Sequence, residues 1–223
     1  MKIFIIGAGG GIGSRLSRIL STGGTQVSGM FRNPRQADAV STTGATPVVG
    51  DLIADSVEEL AEKFRGHDAI VFSAGAHGTG MEQTTAIDGL GLEKAADAAA
   101  SAGVSRFVLV SAFPESGREK EPVESFEHYM RTKKTADVYL TRTDLDWLVV
   151  RPGILRDEPG TGRVSAGLAI EHGDVFRDDV AQFIAAALSE PRLTRLIVEL
   201  ASGDTPIDAA VSSLAASTAP RDA

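Results

Sequence analysis

Apolar residues fall in short dense runs, separated by longer stretches in which they recur every three or four positions. The runs are 2–6 (KIFII), 26–31 (QVSGMF), 46–49 (TPVV), 69–72 (AIVF), 106–111 (RFVLVS), 146–151 (DWLVVR) and 196–200 (LIVEL). Most are apolar almost throughout. They lack the alternation of a half-exposed strand, so they predict strands covered on both faces. Helical spacing occupies 12–22, 34–42, 56–65, 82–102, 125–142 and 178–189. Ser125 and Asp178 stand where N-caps are expected, and Gly44, Gly66 and Gly103 follow helices where a C′ glycine belongs. Strand–helix alternation from residue 2 predicts an α/β fold with a doubly wound parallel sheet.

The alternation weakens after Arg151. Residues 152–175 are rich in glycine and charge, and predict loop with one short strand at 162–166. The tail, 216–223, is expected to fray. The chain is therefore expected to form one domain over 1–223, with 152–223 contributing a small C-terminal annex.

Composition narrows the chemistry. The 223 residues include no cysteine, which excludes disulfides, thiolate metal sites and a thiol nucleophile. The four histidines show no metal-binding spacing, so no metal is expected. Aromatics make only 5% and the net charge is −8, which argues against nucleic acid and anionic membranes as partners. The first apolar run is too short for a signal peptide, and no run approaches the ~18 residues of a membrane span. A cytoplasmic protein is expected.

The strongest motif is Gly7-Ala8-Gly9-Gly10-Gly11-Ile12-Gly13, directly after the first strand and opening the first helix. Glycine lets the chain turn tightly, lets backbone approach a pyrophosphate, and lets the helix pack close to the sheet. The helix N-terminus then offers free N–H groups and a positive dipole end. Two readings stand beside this one: a tight turn with no ligand, and a methyltransferase-type loop. No Gly-Lys-Ser/Thr sequence occurs, so a P-loop is not supported. The second strand ends in Phe31-Arg32-Asn33 with no acid to accept from ribose hydroxyls. Arg32 can instead pair bidentately with a 2′-phosphate, which favours NADP over NAD.

On the fifth helix, Tyr129 and Lys133 form Y-x-x-x-K. That spacing puts phenol and ammonium on one helix face. The ammonium is expected to lower the phenol's pKa, fitting the tyrosine to pass a proton to or from a carbonyl oxygen. His77, in the loop after the fourth strand, is a candidate substrate contact, whereas His128 and Trp147 are expected to be surface and core residues.

These motifs resemble the short-chain dehydrogenase/reductase superfamily, in its atypical NADP-binding branch of NmrA-like and epimerase/dehydratase-like proteins. The resemblance covers about residues 1–210 and implies a Rossmann fold. It implies that Gly7, Gly10 and Gly13, with Gly11 and Ile12, form the phosphate loop and that Arg32 is the NADP arginine. Asp51 and Leu52 would touch adenine, and Ser73, Ala74 and Gly75 would form the cofactor-ribose turn. Asp88 stands where extended members often carry asparagine. Pro152 and Gly153, after Arg151, would lie beside the nicotinamide. Tyr129 and Lys133 match the active-site pair, with Lys133 also reaching the cofactor ribose. The family's serine usually stands just past the fifth strand, where this chain has Ala112 and Phe113, so Ser111 is the candidate in its place. The implied activity is NADP(H)-dependent oxidoreduction of a small carbonyl or alcohol. Epimerase or dehydratase chemistry and a non-catalytic NADP(H) sensor are the alternatives. The expected partner is a small-molecule substrate, and the expected state is monomer or homodimer.

Overall fold

The computed structural model describes residues 1–76, 78–116 and 123–217. His77, most of the acidic stretch before the fifth helix and nearly all of the tail lie outside the described residues.

Seven parallel strands form the main body of the sheet. In chain order they are β1 (Lys2–Ile6), β2 (Gln26–Phe31), β3 (Thr46–Val49), β4 (Ala69–Phe72), β5 (Arg106–Val110), β6 (Asp146–Pro152) and, later, β10 (Leu196–Ser202). Between the last two come β7 (Ile154–Arg156), β8 (Arg163–Gly167) and β9 (Asp174–Phe176), and β11 (Thr205–Pro206) follows. Among the described residues the order across the large sheet is β11-β8-β10-β6-β5-β4-β1-β2-β3, with β8 antiparallel to β10 and β11. The chain leaves β1 toward β2 on one side and returns to β4 on the other. That reversal is the switch point where ligands bind in doubly wound folds, just beyond the carboxyl ends of the strands. The Rossmann architecture is therefore as expected.

The dense apolar runs follow from two-sided burial. Ile3 and Ile5 face one core cluster while Phe4 and Ile6 face the other, all fully buried. The first layer holds α1 (Gly11–Thr22), α7 (Arg177–Leu188) and α8 (Ile207–Ser217). The second holds α3 (Val57–Phe64), α5 (Gly91–Ala102) and α6 (Glu124–Thr141). Phe64 of α3 meets Phe4 edge-on at 4.9 Å, and such full burial is worth roughly 1.5–3 kcal/mol per large side chain. A shorter α2 (Ala37–Ser41) follows a 3₁₀ turn at Pro34–Gln36.

Several local expectations are met. Gly44, Gly66 and Gly103 all adopt positive φ. Four others need correction. Neither Ser125 nor Asp178 is an N-cap: the caps are Val123 and Phe176, and both polar residues sit within the first turn. The single helix expected over 82–102 is α4 (Met81–Thr84), then a π-helical segment Thr85–Leu90, then α5. Segment 152–175 holds β7 and β9 besides β8. These pair Ile154–Arg156 with Asp174–Phe176, a long-range match with no local pattern to announce it. Helix α8 was also not expected. Its signal is present at helical spacing, in the buried Ile207, Ala210, Val211, Leu214 and Ala215, but alanine and serine dilute it. The C-terminal segment thus completes the sheet and, through α7 and α8, one of its faces.

Candidate active site

Among the described residues, two adjoining cavities open along the carboxyl ends of the parallel strands. The first, of about 300 Å³, is lined by Gly7, Gly9 and Gly10 after β1, Arg32 and Gln36 after β2, Gly50, Asp51 and Leu52 after β3, and Ser73, Ala74 and Gly75 after β4. The second, of about 420 Å³, shares Ser73, Ala74 and Gly75 and continues past Gly11 and Ile12 to Ser111, Tyr129 and Lys133.

The glycine loop is built as the motif requires. Gly7 has φ +85, and a Cβ there would come within 2.7 Å of the Ala74 backbone nitrogen. A Cβ on Gly13 would meet the Gly7 carbonyl at 2.3 Å, so this glycine permits the close packing of α1 on the turn. Gly10 is different. Its backbone is extended (φ −82), it caps α1 without any side-chain bond, and a Cβ there would touch only Gly7 O at 3.2 Å. Its lack of a side chain keeps the cavity open. Ser73 Oγ lies buried between the two cavities with no hydrogen-bond partner among the described residues. A bare helix N-terminus, an open glycine cradle and an orphaned hydroxyl fit a dinucleotide's phosphates and ribose.

At the far end of the first cavity Arg32 is exposed, and its guanidinium makes no hydrogen bond or ion pair among the described residues. Asp51 Oδ1 accepts from the Ile53 N–H at 2.9 Å, and Leu52 is buried beneath. Gln36 was not anticipated. It lies against Gly9, where a Cβ would come within 2.6 Å of its Nε2, and the same side chain accepts weakly from the Asn33 N–H.

The second cavity is made of side chains. Lys133 is 2% exposed, and its Nζ donates to Val110 O at 3.0 Å and faces Asp88 Oδ1 at 3.6 Å. Asp88, presented by the π-helical segment, accepts from the Ala76 N–H at 2.9 Å through Oδ2. π-Helical turns recur at functional sites. The lysine, with three N–H bonds to give, keeps one for a ligand. Beside it, Ser111 Oγ donates to Asp137 Oδ1 at 2.6 Å, Arg151 Nε donates to Asp137 Oδ2 at 2.9 Å, and Arg151 Nη2 makes an ion pair with the same oxygen at 2.9 Å. Burial pushes the Asp137 carboxyl up, against the opposing pull of the Ser111 hydrogen bond and of Arg151 and Lys133.

Two expectations change here. The lysine was expected to lower the Tyr129 phenol. Burial raises it instead and outweighs Lys133, and the nearby charges of Asp88 and Asp137 add to the rise. The phenol is thus held as a proton donor. Ser111 reaches the cavity, but its hydroxyl hydrogen is committed to Asp137, which leaves lone pairs to face a ligand. Pro152 and Gly153 stand outside both cavities: β6 runs on to Pro152, which pairs with Leu200, and the Gly153 N–H donates to Leu200 O at 2.9 Å. Gly153 is needed for packing, since a Cβ there would lie 1.9 Å from Gly173 O. Leu155 and Arg177 line the cavity instead. Asp137 and Arg177 escaped sequence reasoning. Asp137 does stand one turn beyond Lys133 on the same face of α6, which was the available signal.

The family model described as NAD(P)H-binding matches residues 7–191. The "Uncharacterized sugar epimerase YhfK" of Bacillus subtilis is 40% identical over 216 residues, covering 96% of this chain and 100% of that protein. The crystal structure of the oxidoreductase ylbE from Lactococcus lactis superposes with a TM-score of 0.85 at 29% identity, covering 96% of each chain. ChuY, an anaerobillin reductase from Escherichia coli O157:H7, gives 0.76 at 26% identity over 92% of this chain and 98% of its own.

Proposed function

This chain belongs to the NAD(P)H-binding family, among the atypical short-chain dehydrogenases/reductases, and on that premise we propose that it reduces a small carbonyl compound with NADPH or oxidises the corresponding alcohol. It is an NAD(P)-dependent enzyme of the oxidoreductase or epimerase type. The dinucleotide, when bound, supplies or takes up the hydride. The chain's own residues do the rest. Gly11 and Ile12 offer backbone N–H groups to the phosphates, while the Gly10 N–H is spent on Gly7 O at 2.9 Å and holds the turn; Ser73 offers its orphaned hydroxyl, and Arg32 answers a 2′-phosphate. Lys133, fixed by Val110 O and Asp88, turns its remaining N–H toward the ribose side. Tyr129 donates its phenolic proton to the carbonyl oxygen as that oxygen gains charge. Ser111 borders the substrate as an acceptor.

The observation that carries this reading is the Tyr129 phenol, raised by burial and lining the same cavity as Lys133 and the phosphate loop. A proton donor at neutral pH suits reduction of a carbonyl. Epimerase chemistry is the second reading. It is favoured by the name of the Bacillus subtilis relative, but it requires the same tyrosine to work as a base as well. The test is oxidation of NADPH against a panel of aldehydes, ketones and quinones. Turnover of a carbonyl supports the reductase. Inversion of a sugar stereocentre with bound NADP⁺, which accepts and returns the hydride and shows no net reduction, supports the epimerase.

A further inference from the structure

Arg177 opens α7 and lays its side chain across the N-terminus of α1. A Cβ on Gly11 would come within 2.8 Å of its Cδ and 3.0 Å of its Nε. It lines the second cavity together with Gly11, Ile12 and Ser73. Only Nη1 is engaged, with Asp157 Oδ2 at 2.9 Å and Leu155 O at 3.4 Å. The other guanidinium nitrogens have no partner among the described residues. A guanidinium has five N–H bonds in a planar fork suited to phosphate, so most of this one's capacity is unused.

Its present partner is a weak competitor. The Asp157 side chain is 74% exposed and is shared with Arg15, 3.5 Å away. An exposed pair of this kind contributes little and is screened by salt. The backbone behind Arg177 is firmly held, because Asp178 Oδ2 accepts from Gly160 N–H and Asp179 accepts from Thr161 and Gly162 N–H at 2.8–3.1 Å. Lys133, the other cation lining this cavity, is already committed to Val110 O and Asp88. Arg177 is thus a pre-positioned cation over a helix N-terminus that lacks a side-chain cap.

We propose that Arg177 is a phosphate-binding residue of this site, exchanging Asp157 for a pyrophosphate oxygen of the dinucleotide. The inference rests on the dinucleotide reading above. It differs from the role given to Arg32, because the pyrophosphate is common to NADH and NADPH. Arg177 must therefore serve both alike, with Asp157 opposing binding by holding the arginine.

The test is a fluorescence titration of NADH and of NADPH against the unsubstituted protein, Arg177→Met, Asp157→Asn and the double variant, with thermal melts to establish folding. Arg177→Met should weaken both nucleotides by about the same factor, on the order of 10–100-fold for lost charged hydrogen bonds. Asp157→Asn should tighten both by about two- to fivefold, the scale of an exposed ion pair, and most of that gain should vanish in the double variant. Unchanged affinities in Arg177→Met, a loss confined to NADPH, or an Asp157→Asn gain that persists without Arg177 would each overturn the proposal. Should Arg177→Met fail to fold, the exposed Asp157→Asn still decides, since no tightening contradicts the exchange. Failure of the unsubstituted protein to bind either nucleotide would instead remove the dinucleotide reading itself.

Discussion

The two cavities sit side by side and share Ser73, Ala74 and Gly75, yet they are made of different material. The first is largely main chain: glycines after β1 and β3, a turn after β4, and an uncapped helix end. The second is a convergence of side chains from the π-helical segment, β5, α6, β7 and α7, tied below by the Ser111–Asp137–Arg151 and Lys133–Asp88 contacts. A backbone cradle tolerates few changes at a few glycines and binds what any dinucleotide offers. A side-chain cavity has its chemistry set by which groups hold which protons. Under the proposed function the difference divides the labour, with most recognition of the cofactor in the first cavity and proton handling in the second.

Apart from Lys133 and Arg177, which reach from the second cavity toward the cofactor, substitutions that strike one cavity should spare the other. The largest effect is expected from Gly10→Val. Its extended dihedrals suit valine, Gly7 O at 3.2 Å from the new Cβ must shift slightly, and the added side chain enters the space that the phosphates need. The protein should fold with a normal circular dichroism spectrum and lose most of its cofactor binding in a fluorescence titration. Retained tight binding would mean that the first cavity is not the cradle.

Asp137→Ala should do the reverse. It strands the half-buried Arg151 charge and frees Ser111, and breaking a buried pair costs about 3–5 kcal/mol. Denaturant unfolding should show that loss, while whatever remains folded should keep its cofactor affinity. Smaller still is Arg32→Ala. NADPH should weaken by about 1.5–3 kcal/mol while NADH barely changes, since the exposed arginine has no other partner among the described residues. Equal affinity for the two nucleotides in the unsubstituted protein would end the assignment of NADP.

The same contrast explains what could be read from sequence. The glycine loop, Asp51-Leu52 and Ser73-Ala74-Gly75 are contiguous, each just past an apolar run, so a strand assignment suffices to place them. Tyr129 and Lys133 were legible because a helix fixes their spacing. Asp137 and Arg177 were not, because their roles depend on contacts across the fold: Asp137 meets Ser111 26 positions away and Arg177 lies over Gly11. Pro152 and Gly153 illustrate the converse. Their motif was recognised, but pairing with β10 extends β6 to Pro152, and the cavity wall is formed by Leu155. The direction of the Tyr129 shift also escaped, since the lysine is visible in the sequence and the burial is not.

That shift gives the smallest predicted effect. The chain has two tyrosines, and Tyr139, bonded to Asp97 Oδ1 at 2.7 Å, is pushed up to about 12 by that hydrogen bond. In Tyr139→Phe, the remaining phenol should titrate in the ultraviolet above the ordinary value of ~10. The folded state then holds the proton more tightly than the unfolded one. The associated stability is complete below the unfolded phenol's pKa and is lost as pH rises through the folded value. Titration at or below the ordinary value would mean that Lys133, and not burial, governs the phenol.

The division between the cavities is tested most directly by Tyr129→Phe, with turnover and cofactor affinity measured on the same preparation against any carbonyl that the unsubstituted protein reduces. The substitution removes one hydroxyl and keeps the ring between Phe126 and Lys133 in the cavity wall. Turnover should fall by about 100-fold or more, the scale of a lost general acid, while NADPH affinity stays nearly constant. Full turnover in Tyr129→Phe, or a loss of cofactor affinity that matches the loss of rate, would contradict the account.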